Sequence, residues 1–459
     1  MRINLIGEPE VTTIPIAILA RAKFEDWSAG LSTAQRAWVR TNGFAAGSSQ
    51  AFALPGADGS VASYVFLVDD GATLWDWAQL PGNLPSGSYR IIEDGLSAEN
   101  LDKAALAWGL ATYLFDRYRH AELVPPCLVF PKGCNRARVE ATVVNTYRVR
   151  NLITTPANDL GPEELAAAAE ELALEQGAAY TVIVGDDLLT HNYPAIHAVG
   201  RAHDRAPRLI DMRWGDSSAR RLTLVGKGVC FDTGGLDLKP ASGMELMKKD
   251  MGGAANVLGL AGMIMAAKLP VCLRVLIPAV ENSVSANAMR PGDVLQTRKG
   301  LTIEIGNTDA EGRVILADAL AEAASERPEV IIDFATLTGA ARTALGTDIP
   351  ALFCNNDTLA AEILAASEAV EDPLWRMPLW PGYQKLIRGK IADITNSPAG
   401  RFGGAITAAL FLERFVDADI AWAHIDLMAW NPSASPGRPE GGEAMGMRAV
   451  FASLATRFG

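Results

Sequence analysis

Asp309, Glu311 and Arg313 take alternate positions in the run Asn307-Thr308-Asp309-Ala310-Glu311-Gly312-Arg313, directly after the apolar, alternating stretch Leu301-Thr302-Ile303-Glu304-Ile305. In an extended segment residues two apart face the same way. The two carboxylates and the guanidinium are therefore expected to converge on one side of a strand end. Adjacent carboxylates repel unless a cation lies between them, so the spacing points to a metal. A matching set stands upstream in Lys227, Asp232, Lys239 and Asp250. Together the two sets read as a two-metal hydrolytic site.

The upstream set begins in Val225-Gly226-Lys227-Gly228-Val229-Cys230-Phe231-Asp232-Thr233-Gly234-Gly235, which follows an apolar strand candidate. A lysine and an aspartate are thus delivered into a glycine-rich turn at a strand's carboxyl end, where α/β proteins place their sites. A phosphate-binding loop is the rival reading. It fails on spacing, because no glycine precedes Gly226-Lys227 at the required offset and Gly228 stands where a hydroxyl would bind magnesium. Asp250 precedes Met251-Gly252-Gly253-Ala254-Ala255, small residues that let a helix start pack tightly against a sheet.

The elements that must carry these residues follow from periodicity. Strands are expected at Arg208 to Met212, Leu222 to Val225, Cys272 to Val280, Leu301 to Ile305, Glu329 to Phe334, Ala351 to Cys354 and Ile420 to Leu427. Helices are expected at Asn100 to Arg119, Arg136 to Thr154, Pro162 to Gln176, Gly253 to Ala267, Val314 to Ser325, Leu359 to Ala369 and Gly404 to Phe415. Near-continuously apolar strands alternating with helices mean an α/β sheet covered on both faces. The expected fold class is α/β: a C-terminal domain over residues 136–459 with a mostly parallel or mixed central sheet, and a smaller N-terminal α/β domain over residues 1–135. The Pro125-Pro126 and Pro131-Lys132-Gly133 breaks suggest that boundary. The N-terminal part carries no chemical motif, leaving an assembly or accessory role.

Composition excludes several classes. With 49% apolar and 20% charged residues the chain is a globular protein rather than a disordered one. A net charge of −12 argues against non-specific binding to nucleic acid or anionic membrane. No window reaches the roughly 18–20 apolar residues of a membrane span. The run Ile14 to Ala20 follows Glu8 and Glu10, with Arg2 the one basic flank, and reads as core rather than a signal segment; the expected location is cytoplasmic. Five scattered cysteines form no C-x-x-C pair, and none of the five histidines forms H-E-x-x-H. A metal site must therefore be built mainly from carboxylates.

The segments Val225 to Gly235, Leu236 to Lys239, Asp250 to Ala255 and Asn307 to Arg313, in this order and spacing, resemble the leucyl aminopeptidase (cytosol aminopeptidase) family. Asp333-Phe334-Ala335-Thr336-Leu337-Thr338-Gly339-Ala340 and Trp422-Ala423-His424-Ile425-Asp426 add to the match, which covers roughly residues 140 to 430. The resemblance implies a metal-dependent aminopeptidase that hydrolyses the N-terminal bond of peptides with a free amino terminus. It implies two divalent ions per subunit, zinc or manganese, with cobalt or magnesium also compatible. Asp232 and Glu311 would bridge them, Lys227 and Asp250 would complete one, and Asp309 the other through its carboxylate and backbone carbonyl. Four carboxylates match the charge of two divalent ions, and Lys227 can ligate only when neutral. A water bridging the ions would be the nucleophile, Lys239 would stabilise the developing oxyanion, and Arg313 would hold a bicarbonate that shuttles the proton. Pairing of Arg313 with Asp309 or Glu311 is the simpler alternative.

The family's substrate pocket maps onto Met247, Thr336, Leu337 and Gly339. The stretch Glu443-Ala444-Met445-Gly446-Met447-Arg448 departs from the family's usual threonine-glycine-phenylalanine-glycine-valine-arginine, so the favoured first residue need not be leucine. The resemblance also implies a homohexamer. Outside it, Asn396 to Gly404 is read as a turn near the pocket rim, and His424 as a satisfied core histidine. The alternative function is a DNA-binding or scaffold protein on the same fold. The chain's acidity and lack of basic runs speak against nucleic acid.

Overall fold

The computed structural model describes residues 3–8, 12–48, 51–119, 124–400 and 402–459; Arg2, Glu10 and Arg401 lie outside them. The chain divides into two compact units, Met1–Tyr147 with Ser433–Glu440, and Arg148–Pro432 with Gly441–Gly459. The division falls within the helix Arg136–Thr154, whose bounds match the sequence expectation.

In the first unit a six-stranded sheet runs in the order Leu5–Ile6, Cys127–Val129, Ser88–Ile92, Ile14–Ala20, Val61–Val68, Phe52–Pro55, parallel except for the last pair. The Ile14–Ala20 run is thus an inner strand, with Ile16 fully buried. The expected helix from Asn100 to Arg119 is shorter, Ala98–Ala111. The carbonyl of Gly109 is taken by the hydroxyls of Thr112 and Tyr147 instead of the next helical N–H, so the helix stops.

The second unit is built on a nine-stranded mixed sheet. Four parallel strands form its centre, in the order Ala421–Asp426, Val330–Ala335, Arg220–Gly226, Val271–Asn282. Antiparallel Ala351–Cys354 flanks one side, with Trp375–Arg376 beyond it. Arg208–Trp214 and Ala179–Val184 continue the other side, and Gly228–Asp232 runs parallel to the far end of Val271–Asn282. Alternate side chains of a strand point to opposite faces, and each face here has its own core. Leu222, Leu224, Ile332 and Phe334 pack with the helices Pro162–Gln176, Gly252–Ala266 and Met447–Phe458. Val225 and Ile331 pack with Pro194–Gly200, Glu311–Ser325 and Gly404–Glu413. The approach of the Gly252–Ala266 helix is close enough that a Cβ on Gly253 would lie 2.1 Å from the Phe334 carbonyl oxygen, so only glycine fits there.

The stretch expected as strand Leu301 to Ile305 is shorter, Thr302–Glu304. It pairs with Val294–Gln296 and Ile394–Thr395 in a separate three-stranded sheet. No disulfide forms among the five cysteines. No helix among the described residues is long and apolar enough to cross a membrane.

Candidate metal centre

The parallel strands deliver their carboxyl ends to one place. Lys227 is the first residue after Arg220–Gly226, Asp232 ends Gly228–Asp232, and Thr336 follows Val330–Ala335. Lys227 is pinned at both backbone groups: its N–H donates to Phe334 O at 3.0 Å, and its carbonyl accepts from Ala254 N at 2.9 Å. Asp250 lies in the 3-10 turn Met247–Met251, which runs straight into the helix Gly252–Ala266.

The heptapeptide is not extended, which corrects the strand-end geometry expected from its spacing. Asn307 Oδ1 accepts from the N–H of Asp309 at 2.8 Å and folds the chain into a turn. Ala310 then caps a helix that opens at Glu311, not at Val314. Asp309 therefore sits on the turn. Glu311 sits in the first helical turn, where the helix dipole favours a carboxylate, and Arg313 lies roughly 200° further round the axis. Gly312 leaves room for Lys227, since a Cβ there would meet its Cε at 2.5 Å.

Despite the different backbone, Asp232, Asp309 and Glu311 each offer an oxygen within 4.8 Å of the others. Lys227 Nζ lies 2.6 Å from Asp250 Oδ2, 2.9 Å from Glu311 Oε1 and 3.0 Å from the Thr336 carbonyl. Lys239 Nζ pairs with Asp232 Oδ2 at 2.9 Å and with Asp309 Oδ1. Lys227, Asp232, Asp250 and Glu311 are all buried.

The electrostatics follow from that crowding. Burial, then repulsion from Asp232, pushes Glu311 up to about 8 against the pull of Lys227, and Asp309 up to about 6 against Lys239. Burial opposes the charge on Lys227, but Asp250, Glu311 and Asp232 outweigh it and hold its pKa above the usual lysine range. Burial likewise opposes the Asp250 charge, and Lys227 with Lys249 outweighs it, so Asp250 is held low. Burial brings Lys249 down to about 8.

Arg313 does not pair with Asp309 or Glu311. Its Nη1 donates to the Asn396 carbonyl at 2.7 Å, its Nε has no partner, and burial lowers it to about 10. His424 is buried on the strand Ala421–Asp426, with Nδ1 2.6 Å from Asp333 Oδ1; Asp333 also accepts from Trp422 Nε1. It is a core histidine, not a member of the carboxylate cluster.

Three positioning residues were missed at the level of sequence. Asn282 donates from Nδ2 to Asp232 Oδ1 at 2.8 Å and to Thr308 O at 3.1 Å. Asp237 accepts from Thr308 N at 2.7 Å. Asn396, fully buried, accepts from Gly306 N and Asn307 N and donates to Asn307 O, so it clamps the turn that carries Asp309. No local signal marks it, because its partners lie about 90 residues away in sequence. Asn396→Ala leaves these part-buried backbone groups without their partner and is expected to destabilise the metal-free protein by roughly 1–3 kcal/mol. Urea unfolding checks this; a change under about 0.5 kcal/mol, the range of neutral surface substitutions, would mean the turn holds itself.

Asp232, Asp250 and Asp309 open onto a cleft of about 310 Å³. Met247, Thr336, Leu337 and Gly339 all line it, with Lys239, Lys249, Arg342 and Met428. Thr336 also donates from Oγ1 to Asp250 Oδ1 at 2.7 Å. None of residues 443–448 lines the cleft. Glu443 is instead buried against Arg150, at 3.0 and 3.1 Å.

The cluster fits cations on its own geometry. Asp250 Oδ2, Glu311 Oε1 and Asp309 Oδ1 are buried, and in the metal-free protein each has only a lysine ammonium at ion-pair distance to offset its charge. Four carboxylates face two ammonium groups, an arrangement short of positive charge. The hard oxygen donors, with one amine, suit divalent ions such as manganese or zinc. Fold and site together define a carboxylate-rich metallohydrolase.

Comparison with known proteins agrees. Residues 147–451 match the catalytic domain of the cytosol aminopeptidase family. Residues 14–131, which carry no chemical motif, match the M17 aminopeptidase N-terminal domain. A probable cytosol aminopeptidase of Syntrophotalea carbinolica is 43% identical over 361 residues, spanning 74% of this chain and 72% of that protein. One from Caulobacter vibrioides is 42% identical over 377 residues, spanning 78% and 76%. The crystal structure of cytosol aminopeptidase from Coxiella burnetii superposes with a TM-score of 0.95 at 48% identity, covering 99% of this chain and all of that one. The bottromycin maturation enzyme BotP, solved in complex with Mn, superposes at 0.86 with 33% identity, covering 98% and 100%. The chain belongs to the cytosol aminopeptidase family and is a metal-dependent exopeptidase of the leucyl aminopeptidase type.

Proposed function

We propose that the chain removes the N-terminal residue from peptides with a free amino terminus, using two divalent cations held by Lys227, Asp232, Asp250, Asp309 and Glu311. The observation that carries this reading is the convergence of the Asp232, Asp309 and Glu311 carboxylates, buried or half-buried, beside a cleft that Asp232 and Asp309 line. Asp232 and Glu311 would be the shared ligands, as the family resemblance implies. Lys227 and Asp250 would complete one position and Asp309 the other. When bound, such a pair of cations makes water a nucleophile at neutral pH and polarises the scissile carbonyl.

The protein's own groups do the rest. Lys239 lines the cleft beside Asp232 and Asp309, which keep it protonated against burial, and it can donate to an oxygen as negative charge develops there. Arg313 suits a small anion such as bicarbonate: its guanidinium is buried, its Nε lacks a partner, and no carboxylate forms an ion pair with it among the described residues. Met247, Thr336, Leu337 and Gly339 take the side chain of the departing residue. Manganese or zinc is the expected metal, and BotP, solved with Mn, supports the former. The first unit serves assembly and the assembly is a homohexamer; the protein works in the cytoplasm, a reading that the relatives' name, cytosol aminopeptidase, supports.

The test is hydrolysis of aminoacyl anilides by chelator-stripped protein, with and without added manganese or zinc. Metal is expected to restore release from free-amine substrates and not from their N-acetylated forms. Equal cleavage of acetylated substrates would overturn the exopeptidase reading.

A further inference from the structure

Lys249 has no task in the centre described above. It lies in the turn Met247–Met251 and is only 5% exposed. Lysines are rarely buried so deeply without a partner, because the desolvated charge must be compensated. Its neighbours obey that rule. Lys248 donates to Thr154 O at 2.6 Å, and Lys227 and Lys239 each meet two carboxylates. The Lys249 ammonium makes no hydrogen bond or ion pair with any described residue, and the side chain lines the cleft alongside Met247, Thr336 and Gly339.

The acids of that wall are already engaged. Asp250 accepts from Thr336 Oγ1 and faces Lys227. Asp426 accepts from Leu337 N, Thr338 N and Thr338 Oγ1. A second cation, Arg342, lines the same cleft, and its Nη1 meets only the Met428 sulfur at 3.3 Å. The cleft therefore presents an ammonium without a hydrogen-bonded or ion-paired carboxylate among the residues assigned to the departing side chain.

We infer that Lys249 receives the carboxylate of an acidic N-terminal residue, so that the cleft selects peptides beginning with glutamate or aspartate. This rests on the reading, given above, that the cleft holds the first side chain. A charge-assisted bond would satisfy the ammonium. A neutral isostere replaces it with a weaker bond, and an apolar side chain leaves the charge buried and unpaired. Glutamate against glutamine is therefore the informative pair, since the two differ in charge and not in shape.

The experiment measures kcat/KM of the manganese-loaded enzyme on the 4-nitroanilides of Glu, Gln and Leu, in the wild type, Lys249→Met and Lys249→Arg. The wild-type Glu/Gln ratio is expected to exceed about tenfold. Lys249→Met should bring the ratio to one or below, and Lys249→Arg should retain most of it. Hydrolysis of Gln and Leu substrates with Glu cleaved no better than Gln overturns this inference and leaves the aminopeptidase reading standing. A Glu/Gln ratio unchanged in Lys249→Met does the same. No hydrolysis of any substrate by the wild type overturns both. The wild-type ratio needs no substitution, so a variant that misfolds does not shield the inference.

Discussion

Glu311→Gln is expected to fold normally and to lose metal-dependent hydrolysis by roughly three orders of magnitude or more. The loss is that of a nucleophile worth several kcal/mol, at about 1.36 kcal/mol per factor of ten. Glu311 is buried, 2.9 Å from Lys227 and within reach of Asp232 and Asp309. Burial and its acidic neighbours push it up to about 8, so near neutral pH the metal-free side chain holds its proton for much of the time. Glutamine copies that neutral shape, which is why the fold should tolerate it. It cannot supply the second anionic oxygen that a shared ligand needs.

A titration gives an independent readout. A cation that displaces protons binds more tightly as pH rises. Both Glu311, raised to about 8, and Lys227, raised above the ordinary lysine range, must lose protons to ligate. Manganese added to weakly buffered wild type near pH 7 is therefore expected to release protons, with apparent affinity climbing as pH rises towards 8 and beyond. Glu311→Gln should release fewer protons and bind more weakly. Retained turnover in the variant would remove Glu311 from the ligand set.

Lys239→Ala should behave in the opposite way towards metal. Lys239 Nζ compensates Asp232 and Asp309 in the metal-free protein, and removing it leaves those carboxylates more available to cations. Metal stoichiometry should therefore be unchanged. The loss falls on the chemical step, because the ammonium is a preplaced donor for charge that appears only in the transition state. Removal of one such donor costs about 10²–10³ in kcat, with KM little altered. Full metal content with undiminished kcat would eliminate the oxyanion role. The two substitutions thus separate residues that bind metal from one that acts beside it.

Much of this centre was legible in the chain because its chemistry depends on residue type. Aspartates, a glutamate and lysines set among glycines and apolar strands are out of place unless something neutralises them, and that holds whatever the backbone does. The strands and helices around them were readable for a similar reason. Buried parallel strands are apolar throughout, and the helices between them repeat at their own period, so the bounds of Pro162–Gln176 and Ala351–Cys354 match the sequence expectation. The geometry of the heptapeptide was not readable. Alternation suggested an extended segment, whereas the Asn307 side chain captures the Asp309 N–H and starts a helix at Glu311. A side chain competing for a backbone donor leaves no trace in hydrophobic periodicity.

Local composition was thus enough to establish the class of chemistry and the α/β scaffold, since both follow from which residues need burial and which need a counter-charge. Long-range contacts settled the rest. Asn396 reaches some 90 residues back to clamp the turn before Asp309, Arg313 turns to the Asn396 carbonyl rather than to the acids beside it in the chain, and Lys249 comes to the cleft without a partner. Each of these depends on which distant group occupies the neighbouring space, and a hydrogen bond or an unpaired charge exists only once folding has brought the two ends of that contact together.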